Sequence, residues 1–169
     1  HYTENPEAYQ FYLKGRFYWN KRTPSDLEKA ISFFEEAVEK DPNYAMAYSG
    51  VADSYALLTA YTNEPPRQLM PKAKEAARKA LQIDVSVAEA HTSLAMTHLY
   101  YDWDWASAER EFKRAIELNP NYATAHHWYH EYLTAMGRFE EQTAEILHAE
   151  ELDPLSLIIN TDVGWGLYY

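Results

Sequence analysis

His126 and His130 stand four residues apart, so on a helix both rings could reach one metal ion. No carboxylate stands at the spacing that would complete such a site, and His127 falls on another face of the same helix. Both rings, like those of His91 and His98, fall where helices would pack, so packed or hydrogen-bonded imidazole is the expectation. Glu145 and His148 form a single Glu-x-x-His, whereas a di-metal carboxylate bundle uses that motif twice. The chain has no Cys, no Gly-x-Ser-x-Gly, no Gly-rich phosphate loop and no His-Glu-x-x-His. The paired acids Glu35-Glu36, Glu140-Glu141 and Glu150-Glu151 are sequence neighbours whose side chains diverge on a helix. These residues predict no enzyme, no bound metal and no cofactor.

The chemistry that remains is that of binding. Tyr, Phe and Trp number 15, 6 and 5 among 169 residues, and aromatic and Arg side chains carry much of the energy of interfaces. A formal charge of −11 argues against wrapping nucleic acid, which needs a basic stripe to displace counterions. Hydrophobic residues at 47% and charged residues at 24% describe a globular chain. No apolar run is long enough to span a membrane, and no basic-then-apolar export signal follows His1. The expected compartment is the cytoplasm, and a first residue that is not Met suggests a piece of something longer.

Small side chains set the elements that carry these residues. Ala108, Phe112, Ala115 and Pro120 are matched at the same spacing by Gln142, Ile146, Ala149 and Pro154. Ala30, Phe34, Ala37 and Pro42 share that spacing, and so do Ala73, Ala77, Ala80 and Val85, without the proline. The third site advances by 43, 35 and 34 residues, the mark of a helical solenoid with insertions in its longer intervals. Each unit reads as two helices. Small residues let a neighbouring helix approach and the bulky one fills the gap, while Asp41-Pro42, Asn119-Pro120 and Asp153-Pro154 end the second helices. The first helices carry Gly15, Ala52, Ala95, His130 and Gly164 at their small site. A coiled coil would instead need a heptad seam sustained through the chain.

The pattern resembles the tetratricopeptide repeat, W-x2-L-G-x2-Y, then A-x3-F, then P, along essentially the whole chain. His130 and Gln142 depart from it, each larger than its site expects. The resemblance implies an all-α, right-handed α-solenoid of four repeats plus one extra helix. As a single domain over 1–169, its repeats fall at about 8–44, 45–86, 88–121 and 123–156, with a truncated fifth at 157–169. The stretch from Tyr100 to Tyr129 resembles the arrays attached to bacterial winged-helix regulators and adenylate-cyclase-like signalling proteins. The insertions suggest a capping box of Ser25 with Glu28, a long loop around 61–66, and one extra residue within 101–105.

In such a solenoid the first helices line a concave groove that takes a peptide or a partner domain. The groove-facing candidates are Tyr9, Tyr12, Arg16, Trp19 and Asn20, then Met46, Ser49 and Asp53. Thr92, Met96, Tyr100, His127 and Glu131 follow, with Ile158, Thr161, Trp165 and Tyr168 from the last helix. Members that grip a terminal carboxylate use cations and amides where this chain has Tyr12, Arg16, Gly50, Glu89 and Ser93, so that clamp is not expected. The leading expectation is therefore a protein-interaction scaffold. The alternative is a regulatory or oligomerisation segment of a larger bacterial signalling or transcription-regulator protein. Val163, Trp165, Leu167 and Tyr168 lack a second helix, which predicts an open apolar face available for self-association.

Overall fold

The computed structural model describes residues 3–166. Asn5, Thr23 and Asp104 each turn a side-chain oxygen onto backbone N–H groups of the helix that follows, opening α1 (Pro6–Trp19), α2 (Pro24–Lys40) and α6 (Trp105–Leu118). Proline at the first helical position of α1, α2 and α4 (Pro66–Ile83) loses no bond, because that N–H has no partner within a helix. The remaining helices are α3 (Ala45–Tyr61), α5 (Ala88–Thr97), α7 (Ala123–Ala135), α8 (Phe139–Leu152) and α9 (Leu157–Gly166). Four antiparallel hairpins and a last single helix stack in chain order into a right-handed α-solenoid, with no strand among the described residues. Odd-numbered helices form the inner wall and even-numbered helices the outer one.

Every joint between hairpins is the same turn. The backbone N–H groups of Tyr44, Val87, Tyr122 and Ser156 donate to the carbonyls of Asp41, Asp84, Asn119 and Asp153. Asp41, Asp84 and Asn119 also accept, through their side chains, from the N–H two residues on, which explains an Asx residue at each joint even where Val85 replaces proline.

The twelve small-bulky-small residues of the second helices are all buried. Phe34 shows what the small sites are for. A Cβ built on Gly15 of α1 would lie 2.5 Å from its ring, and one built on Gly50 of α3 would lie 2.6 Å away. One aromatic ring thus sets the approach of three helices. Where the fourth hairpin departs from the pattern, the two departures answer each other: the Gln142 amide donates to His130 Nδ1 across 2.9 Å. Burial, with His127 close by, lowers the His130 pKa to about 4, keeping the ring neutral and able to accept.

A second device ties hairpins together. His126 Nε2 donates to the Pro120 carbonyl at 2.8 Å and its Nδ1 meets Glu145 at 2.6 Å. His91 repeats this one unit earlier, with Val85 at 3.0 Å and Glu111 at 2.7 Å. Asn160 supplies the carbonyl half alone, donating to Pro154. A ring that donates at both nitrogens is an imidazolium, and although burial opposes the charge, the Glu145 bond raises the His126 pKa.

The insertions are absorbed differently from their sequence reading. Thr23, not Ser25 with Glu28, caps α2, and its hydroxyl also donates to Asp26 at 2.8 Å. The expected long loop around 61–66 shortens to 62–65, with α3 and α4 running 17 and 18 residues and burying Leu57, Leu58, Leu69 and Met70 near their facing ends, burial that a loop would not gain. The single extra residue of the third unit becomes a π-helical turn, His98–Asp102, closed by Trp103 in the left-handed region.

Gly15→Ala and Gly50→Ala should each destabilise the fold in urea titrations. Overpacking costs about 1–3 kcal/mol, against about 1 kcal/mol gained in helix propensity. Gly164→Ala, where nothing lies within 4 Å, should hold or raise stability. For His126 the raised folded pKa places its contribution fully below the unfolded value near 6.5, to be lost as pH rises through the folded value. His126→Asn, which keeps the carbonyl bond as Asn160 does, should flatten the decline of thermal midpoint with pH above neutrality.

Candidate functional site

α1 ends in a turn that the backbone resists. Arg22, between α1 and α2, sits at φ 55°, in the left-handed region where Gly137 sits, at φ 70°, in the turn joining α7 to α8. Arginine there carries a strain of about 1–2 kcal/mol that glycine would not. The conformation lays the Arg22 guanidinium 3.8 Å from the centroid of the Trp19 ring, and Arg16 lies 4.4 Å from the same centroid. Two cations therefore share one indole. Beneath them Asp53 of α3 is fully buried. It accepts a hydrogen bond from Ser93 Oγ of α5, and its Oδ2 lies 3.7 Å from Arg16 Nη1. Burial raises the Asp53 pKa to about 7, with Arg16 and Ser93 pulling against it.

Arg16, Trp19 and Arg22 face a cavity of about 570 Å³ lined also by Asn20, Lys21, Tyr61, Thr124 and His127, with Asp153, Ser156 and Ile158 closing it from the α9 side. A narrower slot of about 370 Å³ shares Arg22, Tyr61, His127 and Ile158 with it and continues between Leu57, Met70, Met96 and Trp128. The far end of the slot is acidic but paired. Tyr100 donates to Glu131 at 2.7 Å, and His127 Nε2 donates to Asp162 at 2.6 Å, tying α7 to α9. Burial raises the Glu131 pKa, with the Tyr100 bond opposing it. On the outer face, a shallow trough of about 1020 Å³ runs along α2 and α4 past Glu35, Tyr55, Lys72 and Lys79.

Of the groove candidates, Arg16, Trp19, Asn20, Met96, Tyr100, His127 and Glu131 line the two inner cavities. Tyr9, Tyr12, Met46, Ser49, Asp53 and Thr92 do not. Tyr12 packs on the Phe34 and Tyr44 rings, Thr92 donates back to the Ala88 carbonyl, and Ser49 is buried. Trp19, Met96 and His127 line the cavities while being largely buried themselves. Val163, expected on an open face, is buried with Ile159 against Ile146 and Ala149 of α8. Trp165 is 62% exposed, and Leu167 and Tyr168 lie outside the described residues. His126 and His130 do not converge on one point of their surroundings: the first holds Glu145 and the second Gln142. Arg22, Tyr61 and Asp162 are lining residues that the repeat frame passes over. The signal for Arg22 was an arginine where an interhelical turn wants glycine.

Comparison with known proteins places this geometry. No family model matches the chain. The transcriptional regulator HilA of Salmonella paratyphi A is 28% identical over 158 residues, which is 94% of this chain and 28% of the regulator. The chain thus spans little more than a quarter of that relative's length. Among solved structures, a thermophilic tetratricopeptide-repeat protein of Thermus thermophilus superposes with a TM-score of 0.76 at 18% identity, covering 98% of this chain and 84% of that one. The first tetratricopeptide-repeat domain of RPAP3, solved with an HSP90 peptide, gives a TM-score of 0.59 at 16% identity over 80% of this chain and 97% of its own. The class is that of stacked helical hairpins. More narrowly, the chain has the tetratricopeptide-repeat fold.

No helix among the described residues is long and apolar enough to cross a membrane.

The raised folded pKa of Asp53 means that its ionisation opposes folding, so stability falls as pH rises from about 4 towards about 7. Asp53→Asn, which can still accept from Ser93, should raise the thermal midpoint at pH 8 and change it little at pH 5, as read by circular dichroism melts.

Proposed function

We propose that this chain is a non-catalytic interaction scaffold whose inner groove, from Arg16 and Arg22 to Glu131, takes an extended peptide or a partner segment. The observation that carries this reading is the continuity of the two inner cavities through shared lining residues, with apolar walls between a cationic end and an acidic end. Apolar walls supply burial, and fixed charges at each end set direction and register. The groove is built on helices that other contacts hold in place, so a ligand meets a preformed surface and does not have to order it. The peptide carried by the RPAP3 domain gives the same fold a precedent for such a ligand. Cytoplasmic location is part of this proposal.

A second reading has its own observation. The similarity to HilA extends over 94% of this chain, which favours a segment of a larger transcriptional regulator. There the array would regulate or oligomerise, the exposed Leu155, Leu157 and Trp165 around α9 meeting a second copy.

Affinity capture from the native cell, read by quantitative mass spectrometry, separates the readings. Tyr61→Ala, Tyr100→Ala and Ile158→Asp should each reduce a captured partner by about tenfold, while Lys79→Ala on the outer face leaves it unchanged. Equal capture by all four variants refutes the groove. Concentration-dependent dimers in sedimentation that Trp165→Ala abolishes would instead establish the second reading.

A further inference from the structure

We infer that Arg16, Arg22 and Trp19 form an oxyanion site at the cationic end of the groove, filled by a carboxylate or phosphate group of the bound peptide. This rests on the groove reading and names the chemistry its ligand must carry. Strain makes the first argument. Each non-glycine residue in the left-handed region costs energy, and Gly137, in the corresponding turn within the fourth hairpin, shows that the fold accepts glycine at such a turn. Keeping arginine at position 22 places a guanidinium in the cavity that a glycine would leave out.

Unanswered charge makes the second argument. Among the described residues the Arg22 guanidinium makes no ion pair and no hydrogen bond, although it lines both inner cavities. Arg16 has Asp53 as its ion-pair partner, at 3.7 Å, too far for a hydrogen bond. Asp53 Oδ2 and Trp19 Nε1 are both buried without a hydrogen-bond partner among the described residues. Two guanidiniums and an indole N–H are donors only, so what would satisfy them is an acceptor with several lone pairs and negative charge. Asp53 beneath the site supplies at most one negative charge against the two guanidiniums, and Asp153 on the cavity's rim is offset in charge by Lys21, which leaves the site cationic in a chain of net charge −11. Of the five positions that a terminal-carboxylate clamp would use, only Arg16 is a cation here, with Tyr12, Gly50, Glu89 and Ser93 at the other four. Arg22 comes instead from the turn between α1 and α2.

The test is a titration of the isotope-labelled chain with sodium phosphate and with sodium acetate at constant ionic strength. The Trp19 indole and the Arg16 and Arg22 Nε–H resonances are followed by NMR. The expected result is saturable shifts at these three groups for at least one anion. Saturation by phosphate alone assigns a phosphorylated peptide, and saturation by acetate assigns an acidic side chain or chain terminus. Arg22→Gly relieves backbone strain, so it should keep or raise the thermal midpoint while weakening the anion by about tenfold or more. Asp53→Asn, by removing the competing internal carboxylate, should lower the Kd at pH 8. Non-saturating shifts with both anions, or equal affinity in Arg22→Gly, overturn the site. If that happens while the Tyr61, Tyr100 and Ile158 variants still lose their partner, the groove stands and only its oxyanion chemistry falls.

Discussion

The distance between neighbouring helices is what the rest of this structure depends on, and the Phe34 ring sets it at the first joint. The ring fills a space that exists only because Gly15 and Gly50 have no Cβ to occupy it. Interiors at crystal-like density have no slack for one extra carbon, so the approach of α1, α2 and α3 is set to within a few tenths of an ångström. Phe112 holds the corresponding place later in the array, against the Tyr129 and Tyr132 rings. Curvature, and with it the inner groove, follows from repeating that approach. A solenoid accumulates a small rotation at every unit, so the first hairpin and the start of α9 come to line one cavity.

Polar groups then lock what packing has brought close. The Asx turns, the His91 and His126 clasps and the Gln142–His130 pair lie at joints between helices, where buried polar atoms need partners. The groove inverts that rule. Trp19 Nε1 and Asp53 Oδ2 are buried without hydrogen bonds, and Arg22 is held in a strained backbone conformation above them. One unmet donor, the Trp19 indole N–H, and one unmet acceptor, Asp53 Oδ2, thus lie beside the cationic end of the cavity.

Much of the architecture was legible in residue spacing. The small-bulky-small frame, the Asx-containing joints and the number of hairpins follow from local rules of helix packing and turn chemistry. The insertions were misread because length alone does not say whether extra residues form loop, helix or π-turn. The insertion near Tyr61 was largely taken up by longer α3 and α4 running along each other, with 62–65 left as a short loop, and the residue added near Trp103 became a π-helical turn. The groove was legible in part. A helical frame assigns faces, but Tyr12 faces inward only as far as the Phe34 and Tyr44 rings, which stop it short of the cavity.

By itself, then, the order of residues determined the class of element, the repeat and the punctuation, because these depend on interactions within about one hairpin. Tertiary structure alone decided which side chains share the groove. Arg22, Met96, His127 and Ile158 are far apart in sequence, and their proximity arises from curvature summed over four hairpins. The burial of Asp53 and the position of Arg22 over Trp19 belong to the same category. Each depends on elements that no local window contains, and the electrostatics of the site comes from their arrangement in space.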